Sequence, residues 1–378
     1  MEQKKKNIPF FKPSITLAER EAIGRVLDSG WLTTGEYVEK FETEFCRLCG
    51  AKYGIALNSA TAALHLSIES SKIPPKEAVL VPTMTFASTA EILYYRGIEP
   101  ILVDCRDSDL LISEEDTRRK LHKAINSGKK VTGIIPVHYG GKMVDMDWVD
   151  NLSKEFCLKV IEDAAHCCGS KYFSKKHNQW KSMGESTISQ CYSFYCTKCI
   201  TTAGEGGMVI TNSEELAHQV RILSLHGLSS NAWKRFLPDS EIFYDIICPG
   251  YKYNLTDIGA AMGIEQLRRN GELRQQKESI TKIYRNHLKN IPFVYPLEEE
   301  ADHYYHSHHL FVVKIDVDSL TVTRNDIIHH LNQKGITCSV HWKPLHMYSF
   351  YRNQGFKNED YPVATKMFDQ IISLPLYP

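Results

Sequence analysis

Lys198 sits where a side chain could do covalent chemistry. It closes the run Tyr192-Ser193-Phe194-Tyr195-Cys196-Thr197-Lys198 and is followed by Cys199-Ile200-Thr201-Thr202-Ala203-Gly204-Glu205-Gly206-Gly207. The aromatic and β-branched residues before it predict an extended run, and Met208-Val209-Ile210 after the glycine turn predicts a returning strand. A lysine on such a connection can be aimed into a cleft. Burial lowers the pKa of an amine and frees its lone pair, so a lysine held there can act as a Schiff-base nucleophile. Most lysines are solvated surface groups, so Lys198 gains weight only if other stretches supply parts of the same site.

Three stretches could supply them. Asn58-Ser59-Ala60-Thr61 falls at a strand-to-helix turn, where free N–H groups, two hydroxyls and the helix dipole attract an anion. The same turn also reads as an ordinary N-cap by Ser59 or Thr61. Asp163 ends the apolar run Val160-Ile161-Glu162, and a carboxylate at a buried strand end needs a partner. A protonated pyridine nitrogen is one such partner; a helix cap or a structural ion pair are others. Phe86 can stack on a flat ring, although an aromatic in a loop is more often core. Ser193, five residues before Lys198, can add a hydroxyl to a phosphate.

The elements that must hold these residues follow a regular rhythm. Strands are expected at 54–57, 78–82, 100–104, 131–137 and 158–163, with helices at 62–68, 87–95, 116–125 and 147–156 between them. An earlier helix is expected from Leu17 to Leu27 after the cap candidate Thr16. Strands alternating with helices predict an α/β domain with a mostly parallel central sheet flanked by helices. Ligands collect outside the C-terminal strand ends of such sheets. Ser59, Thr85, Phe86, His138 and Asp163 all fall there. Beyond about residue 250, helices at 256–270 and 271–291, strands at 311–315 and 337–340 and a helix near 324–334 predict a smaller α+β domain. The expected division is a large domain over 1–250, with an N-terminal arm, and a small domain over 251–378.

Composition excludes several function classes. The chain has 378 residues, 43% apolar and 24% charged, which suits a large domain plus a smaller one. Lys plus Arg and Asp plus Glu number 45 each, so no global charge points to nucleic acid or an anionic membrane. Apolar runs are strand-sized, so no membrane insertion is expected. The N-terminus lacks an apolar core of signal-peptide length, and a cytoplasmic location is expected. Eleven scattered cysteines fit reduced thiols. Cys46/Cys49 and Cys196/Cys199 are spaced like zinc ligands. However, the first pair lies in an amphipathic helical pattern and no histidine stands at finger spacing, so no metal site is expected.

Each of these features is weak alone. In order along the chain they resemble the pyridoxal-phosphate (PLP)-dependent sugar-nucleotide aminotransferases of the DegT group, which have the aspartate-aminotransferase fold (fold type I). The resemblance spans Ile8 to Pro378. It rests on Gly30–Gly35, Asn58–Leu64, Thr85-Phe86, Pro136–His138, Glu162–His166, Ser193-Phe194 with Lys198, Gly204–Gly207 and Pro249–Ile258.

The resemblance implies roles. Lys198 would carry PLP and shuttle a proton, and Asp163 would pair with the pyridine nitrogen. Phe86 would stack on the ring and His166 would lie near its edge. Ser59, Ala60, Thr61 and Ser193 would hold the phosphate. The protein would be a homodimer, with Lys252 or Asn254 completing the partner's site. The substrates would be L-glutamate and a keto-sugar nucleotide, in amino-sugar biosynthesis for surface polysaccharide or glycoconjugates. Substrate contacts are expected from Trp31–Gly35 and His341–His346.

The chain also departs from the family pattern. Ala60 stands where the family has glycine, which matters only if the backbone there needs positive φ. Lys252-Tyr253-Asn254 stands where many members have Asn-Tyr-Arg. Relatives usually continue past the end of this chain into a terminal helix. Related dehydratases carry histidine in place of the lysine, so Lys198 argues against that chemistry. A non-catalytic regulator on the same fold is the remaining alternative.

Overall fold

The computed structural model describes residues 7–229 and 244–378, so the basic residues 4–6 fall outside it. Two helices come first, α1 (Leu17–Ser29) and α2 (Glu36–Cys49). Strand and helix then alternate: β1 (Tyr53–Leu57), α3 (Ala60–Ser71), β2 (Ala78–Pro82), α4 (Ser88–Tyr95), β3 (Glu99–Val103), α5 (Glu114–Asn126), β4 (Val131–Ile134), α6 (Met146–Phe156) and β5 (Lys159–Asp163). A small hairpin, β6 (Lys171–Ser174) and β7 (Gln179–Lys181), precedes β8 (Thr187–Ser193), β9 (Gly207–Thr211) and α7 (Glu214–Ser224). Next come α8 (Asp257–Arg268), α9 (Asn270–Leu288), β10 (Val294–Pro296), β11 (Tyr304–Tyr305), β12 (Phe311–Ile315) and α10 (Arg324–Gln333). The chain closes with α11 (Ser349–Arg352), α12 (Pro362–Gln370) and β13 (Ile371–Leu374).

The central sheet has seven strands in the order β1-β9-β8-β5-β4-β2-β3. Neighbours from β8 to β3 pair in parallel, and β9 is antiparallel to both β8 and β1. Strands covered by helices on both faces need side chains that are apolar on both faces. This is why β2, Ala-Val-Leu-Val-Pro, is buried along its whole length. β9 returns directly beside β8 without a crossover, so it must run antiparallel to it.

β1 is an edge strand, and side chains cap its free groups. The Ala56 N–H donates to Glu42 Oε1 at 2.8 Å, and Arg221 Nη2 donates to the Gly54 carbonyl at 3.2 Å. Arg221 and Glu42 pair with each other at 2.7 Å.

A second sheet, β10-β12-β13, is antiparallel. Phe311, Val313, Ile315 and Ile372 form its own apolar cluster, covered by Tyr284 and Leu288 of α9 and Ile327 and Ile328 of α10. α8, although beyond residue 250, packs on α1 and α2.

Two expected strands need correction. Residues 337–340 form no strand. Ile336 bridges to Ile8 and Ser339 to Ser373, so the segment splits its pairing between two partners and builds no ladder. The strand expected over 131–137 stops at Ile134, before Pro136, which has no N–H to donate.

Candidate active site

Lys198 lies at the tip of an extension of the β8–β9 hairpin. Beyond the strands, Phe194 N–H donates to Gly206 O and Cys196 N–H to Gly204 O. The Lys198 N–H donates to Tyr195 O at 2.8 Å, which turns the chain at the lysine. Ala203 (φ 64) and Gly204 (φ 114) make the return. The partly buried amine faces a cavity of about 530 Å³ at the C-terminal ends of the parallel strands. Burial pushes its pKa down to about 8, against the opposing pull of Asp163.

Eight of the ten expected site residues line this cavity: Ser59, Ala60, Thr61, Phe86, Asp163, His166, Ser193 and Lys198. Ser59 caps α3 by accepting from the Ala62 N–H at 3.0 Å. The first turn of α3 therefore opens on the cavity at Ala60 and Thr61. Ala60 is helical and has no positive φ, so the missing glycine causes no strain. The glycine the turn needs is elsewhere. A Cβ on Gly207 would fall inside contact distance of the Ser59–Ala60 peptide, so only glycine lets β9 pass this close. Ser193 Oγ faces the cavity and accepts from the Tyr195 N–H at 3.3 Å.

Asp163 ends β5 and is 4% exposed. Burial raises its pKa, while the Thr89 hydroxyl at 2.8 Å, the Ala165 N–H at 3.1 Å and the charge of Lys198 oppose the rise. Behind it, Glu162 is fully buried and collects donors from His138 Nε2 (2.6 Å), Gln190 Nε2 (2.8 Å), the Gly184 N–H (2.8 Å) and Thr187 Oγ1. His138 Nδ1 accepts from the Val144 N–H at 3.0 Å, so its proton sits on Nε2 and is donated to Glu162.

His166 Nδ1 accepts from the Gly140 N–H at 3.1 Å, which leaves its proton on Nε2. Burial and then the charge of Lys198 hold its pKa well below the ordinary histidine value. Its ring stacks on Trp342, with centroids 5.0 Å apart and planes 28° apart. Trp342 and His341 reach the cavity because the segment around them crosses the strand ends. The Leu345 N–H donates to Thr83 O at 2.8 Å, and Tyr139 Oη donates to His341 O.

Lys252 and Asn254 do not line the cavity. Lys252 Nζ lies 2.7 Å from Asn254 Oδ1, and Asn254 Nδ2 donates to Thr34 Oγ1 at 2.8 Å. Of the two expected substrate stretches, His341 and Trp342 face the cavity, and Trp31–Gly35 does not.

Two groups were not singled out from the sequence, Thr89 behind the cavity and His309 on it. Thr89 lies in the first turn of α4, and its contact with Asp163 spans 74 residues. His309 stands two residues before β12 and lines the cavity. Its position in the sequence carries no signal beyond nearness to that strand.

The residues present suit PLP: a lysine with a depressed pKa, a buried carboxylate, and a helix N-terminus with hydroxyls, all on one cavity. A lysine and a strand-end carboxylate arranged this way on a mostly parallel sheet define a fold type I PLP enzyme. The DegT/DnrJ/EryC1/StrS aminotransferase family model matches residues 13–378. The chain therefore belongs to that family and is a PLP-dependent aminotransferase.

Among relatives, it is 37% identical over 374 residues to the spore coat polysaccharide biosynthesis protein SpsC of Bacillus subtilis, covering 98% of this chain and 92% of SpsC. Spr1654 of Streptococcus pneumoniae, assigned as a sugar aminotransferase and solved in its PLP form, superposes with a TM-score of 0.85 at 31% identity. That match covers 99% of this chain and 94% of Spr1654. PseC of Helicobacter pylori, an aminotransferase involved in the biosynthesis of pseudoaminic acid, gives 0.86 at 28% identity, covering 98% and 94%.

Proposed function

We propose that the protein moves an amino group from L-glutamate to the keto group of a nucleotide-linked sugar, in amino-sugar biosynthesis for surface polysaccharide or glycoconjugates. The carrying observation is that Lys198, Asp163 and the first turn of α3 face one cavity. The roles of SpsC in spore coat polysaccharide biosynthesis and of PseC in pseudoaminic acid biosynthesis support the pathway class.

PLP, when bound, supplies an electron sink that acidifies the substrate carbon bearing the amino group. The residues of this chain do the rest. The α3 N-terminus, with Ser59, Ala60 and Thr61, and the Ser193 hydroxyl would hold the phosphate. The Asp163 carboxylate would keep the pyridine nitrogen protonated. The Phe86 ring, 59% exposed at the cavity wall, would cover the cofactor face. His166 would lie beside the ring edge, fixed by Gly140 and Trp342. The Lys198 amine, uncharged near neutral pH at modest cost, would attach the cofactor and then move the proton as general base and acid.

The working unit would be a homodimer in which Lys252 or Asn254 of the partner subunit reaches the phosphate. The position of these two residues away from their own cavity supports this. The eleven free thiols support a cytoplasmic setting. Residues 1–250 would act as the PLP-binding domain and 251–378 as the smaller domain. The separate second sheet supports two units, while α8 ties the start of the second to the first.

Purified protein loaded with PLP would lose its yellow colour with L-glutamate. A panel of UDP-, dTDP- and GDP-linked keto sugars would then be screened for its return. Colour that returns with 2-oxoglutarate but with none of the sugars would reject the proposed acceptor.

A further inference from the structure

We infer that His309 recognises a hydroxyl group of the sugar acceptor, an inference that rests on the function proposed above. Four histidines line the cavity, and three are already engaged. His138 uses both ring nitrogens, on Glu162 and Val144. His166 Nδ1 is taken by Gly140, and His341 Nδ1 lies 2.9 Å from Ser373 Oγ. His309 is 8% exposed, and neither ring nitrogen has a hydrogen-bond or ion-pair partner among the described residues. A buried polar ring without a partner is costly unless a ligand supplies one.

The ring is held in place. Leu310 N–H donates to Gly140 O at 2.9 Å and Ser307 N–H to Gly141 O at 3.2 Å, so the backbone is pinned on both sides. The imidazole rests on His166, with centroids 4.2 Å apart and planes 50° apart. It is a positioned group with its hydrogen-bonding capacity unspent.

The chemistry of the ring selects the ligand. Burial, then the charges of Lys198 and Lys277, hold its pKa well below the ordinary value, and His341 and His306 add to this. The imidazole is therefore neutral, with one donor and one acceptor nitrogen. A hydroxyl both donates and accepts, so it matches either tautomer. A carboxylate only accepts, and a neutral ring brings it no opposite charge. The sugar, and not the carboxylate end of the amino donor, is the better match.

The test separates the two half-reactions. Wild type, His309→Leu and His309→Asn, each loaded with PLP, are followed by absorbance with L-glutamate. The glutamate-treated forms are then followed with dTDP- and UDP-linked 4-keto-6-deoxyhexoses. His309→Leu should lower kcat/KM for the sugar about ten- to a hundredfold, as expected for one lost buried hydrogen bond. The glutamate half-reaction should stay within about twofold of wild type. His309→Asn, which keeps a donor and an acceptor, should recover part of the loss. In a binding readout, the dTDP-linked 4-amino sugar should raise the melting temperature of His309→Leu less than that of wild type.

A loss shared equally by both half-reactions, a loss confined to glutamate, or no loss would each overturn the inference. Wild type bleached by L-glutamate yet recoloured by none of the UDP-, dTDP- and GDP-linked keto sugars would remove the acceptor, and this role with it. Wild type recoloured with variants equal to it would remove this role alone.

Discussion

The hydroxyl of Thr89 lies 2.8 Å from Oδ2 of Asp163 and donates to it. Thr85 Oγ1 is in turn 2.8 Å from the Thr89 hydroxyl, whose proton is already committed, so Thr85 donates to Thr89. A two-hydroxyl relay thus steadies the charge of a buried carboxylate. Thr89→Val keeps the shape and removes the donor. It should weaken PLP binding about five- to tenfold, or about 1 kcal/mol, the usual net worth of one such bond. An absorbance titration of apoprotein with PLP measures this. Unchanged affinity would mean that the relay does not matter to the cofactor.

Capture of PLP by the apoprotein should depend on pH through Lys198. Burial lowers this amine to about 8. The uncharged, reactive fraction therefore rises as pH passes through that value and levels off above it. Asp163 holds the lysine pKa up, so Asp163→Asn should move the midpoint to lower pH. The sign for stability follows from the same shift. The folded state binds fewer protons than the unfolded chain between about 8 and the ordinary lysine value, so Lys198 makes apoprotein stability rise with pH across that window. Stopped-flow absorbance over a pH series tests the first part and chemical denaturation the second.

Gly207→Ala should damage the phosphate end of the site. The added methyl would collide with the Ser59–Ala60 peptide at the start of α3. Overpacking of this kind costs about 1–3 kcal/mol and displaces backbone. Both the melting temperature and PLP affinity should fall. A lower melting temperature with unchanged affinity would separate the turn from phosphate binding.

Arg221→Ala should destabilise the sheet edge without touching the cavity. It leaves Glu42, whose pKa burial already raises, without its cation, and frees the Gly54 carbonyl. The arginine side chain is 39% exposed, so the expected loss is about 1–3 kcal/mol, below that of a fully buried pair. Thermal melts of Arg221→Ala and of Arg221→Ala with Glu42→Gln check this. The double variant should recover part of the loss, because it removes the unpaired charge.

Much of the fold was legible because parallel strands buried on both faces are continuous apolar runs. β2 and β12 match their expected bounds, and the return of β9 was visible from the glycine turn. The misses lie where pairing is decided far away in the chain. Residues 337–340 have the β-branched look of a strand, but their neighbours are split between Ile8 and Ser373. β13 (Ile371–Leu374), which pairs with β12 on the side away from β10, is short and gave no periodic signal.

A residue's place at the cavity was legible where it depends on its own strand end, as with Asp163 and Ser59, or on its own hairpin, as with Lys198. Placement was not legible where it depends on a contact between distant segments. Thr89 and His309 are ordinary residues until α4 brings the one against Asp163 and the approach to β12 brings the other to the cavity.

The most direct measurement compares wild type with Lys198→Ala. Each is loaded with PLP, scanned by absorbance before and after L-glutamate, and then reduced with borohydride and mapped by mass spectrometry. Wild type should be yellow, should bleach with L-glutamate, and should carry a reduced cofactor adduct at Lys198 when trapped beforehand. Lys198→Ala should show neither the adduct nor turnover. Wild type that takes up PLP but shows no adduct at Lys198 and no response to L-glutamate would contradict the central claim.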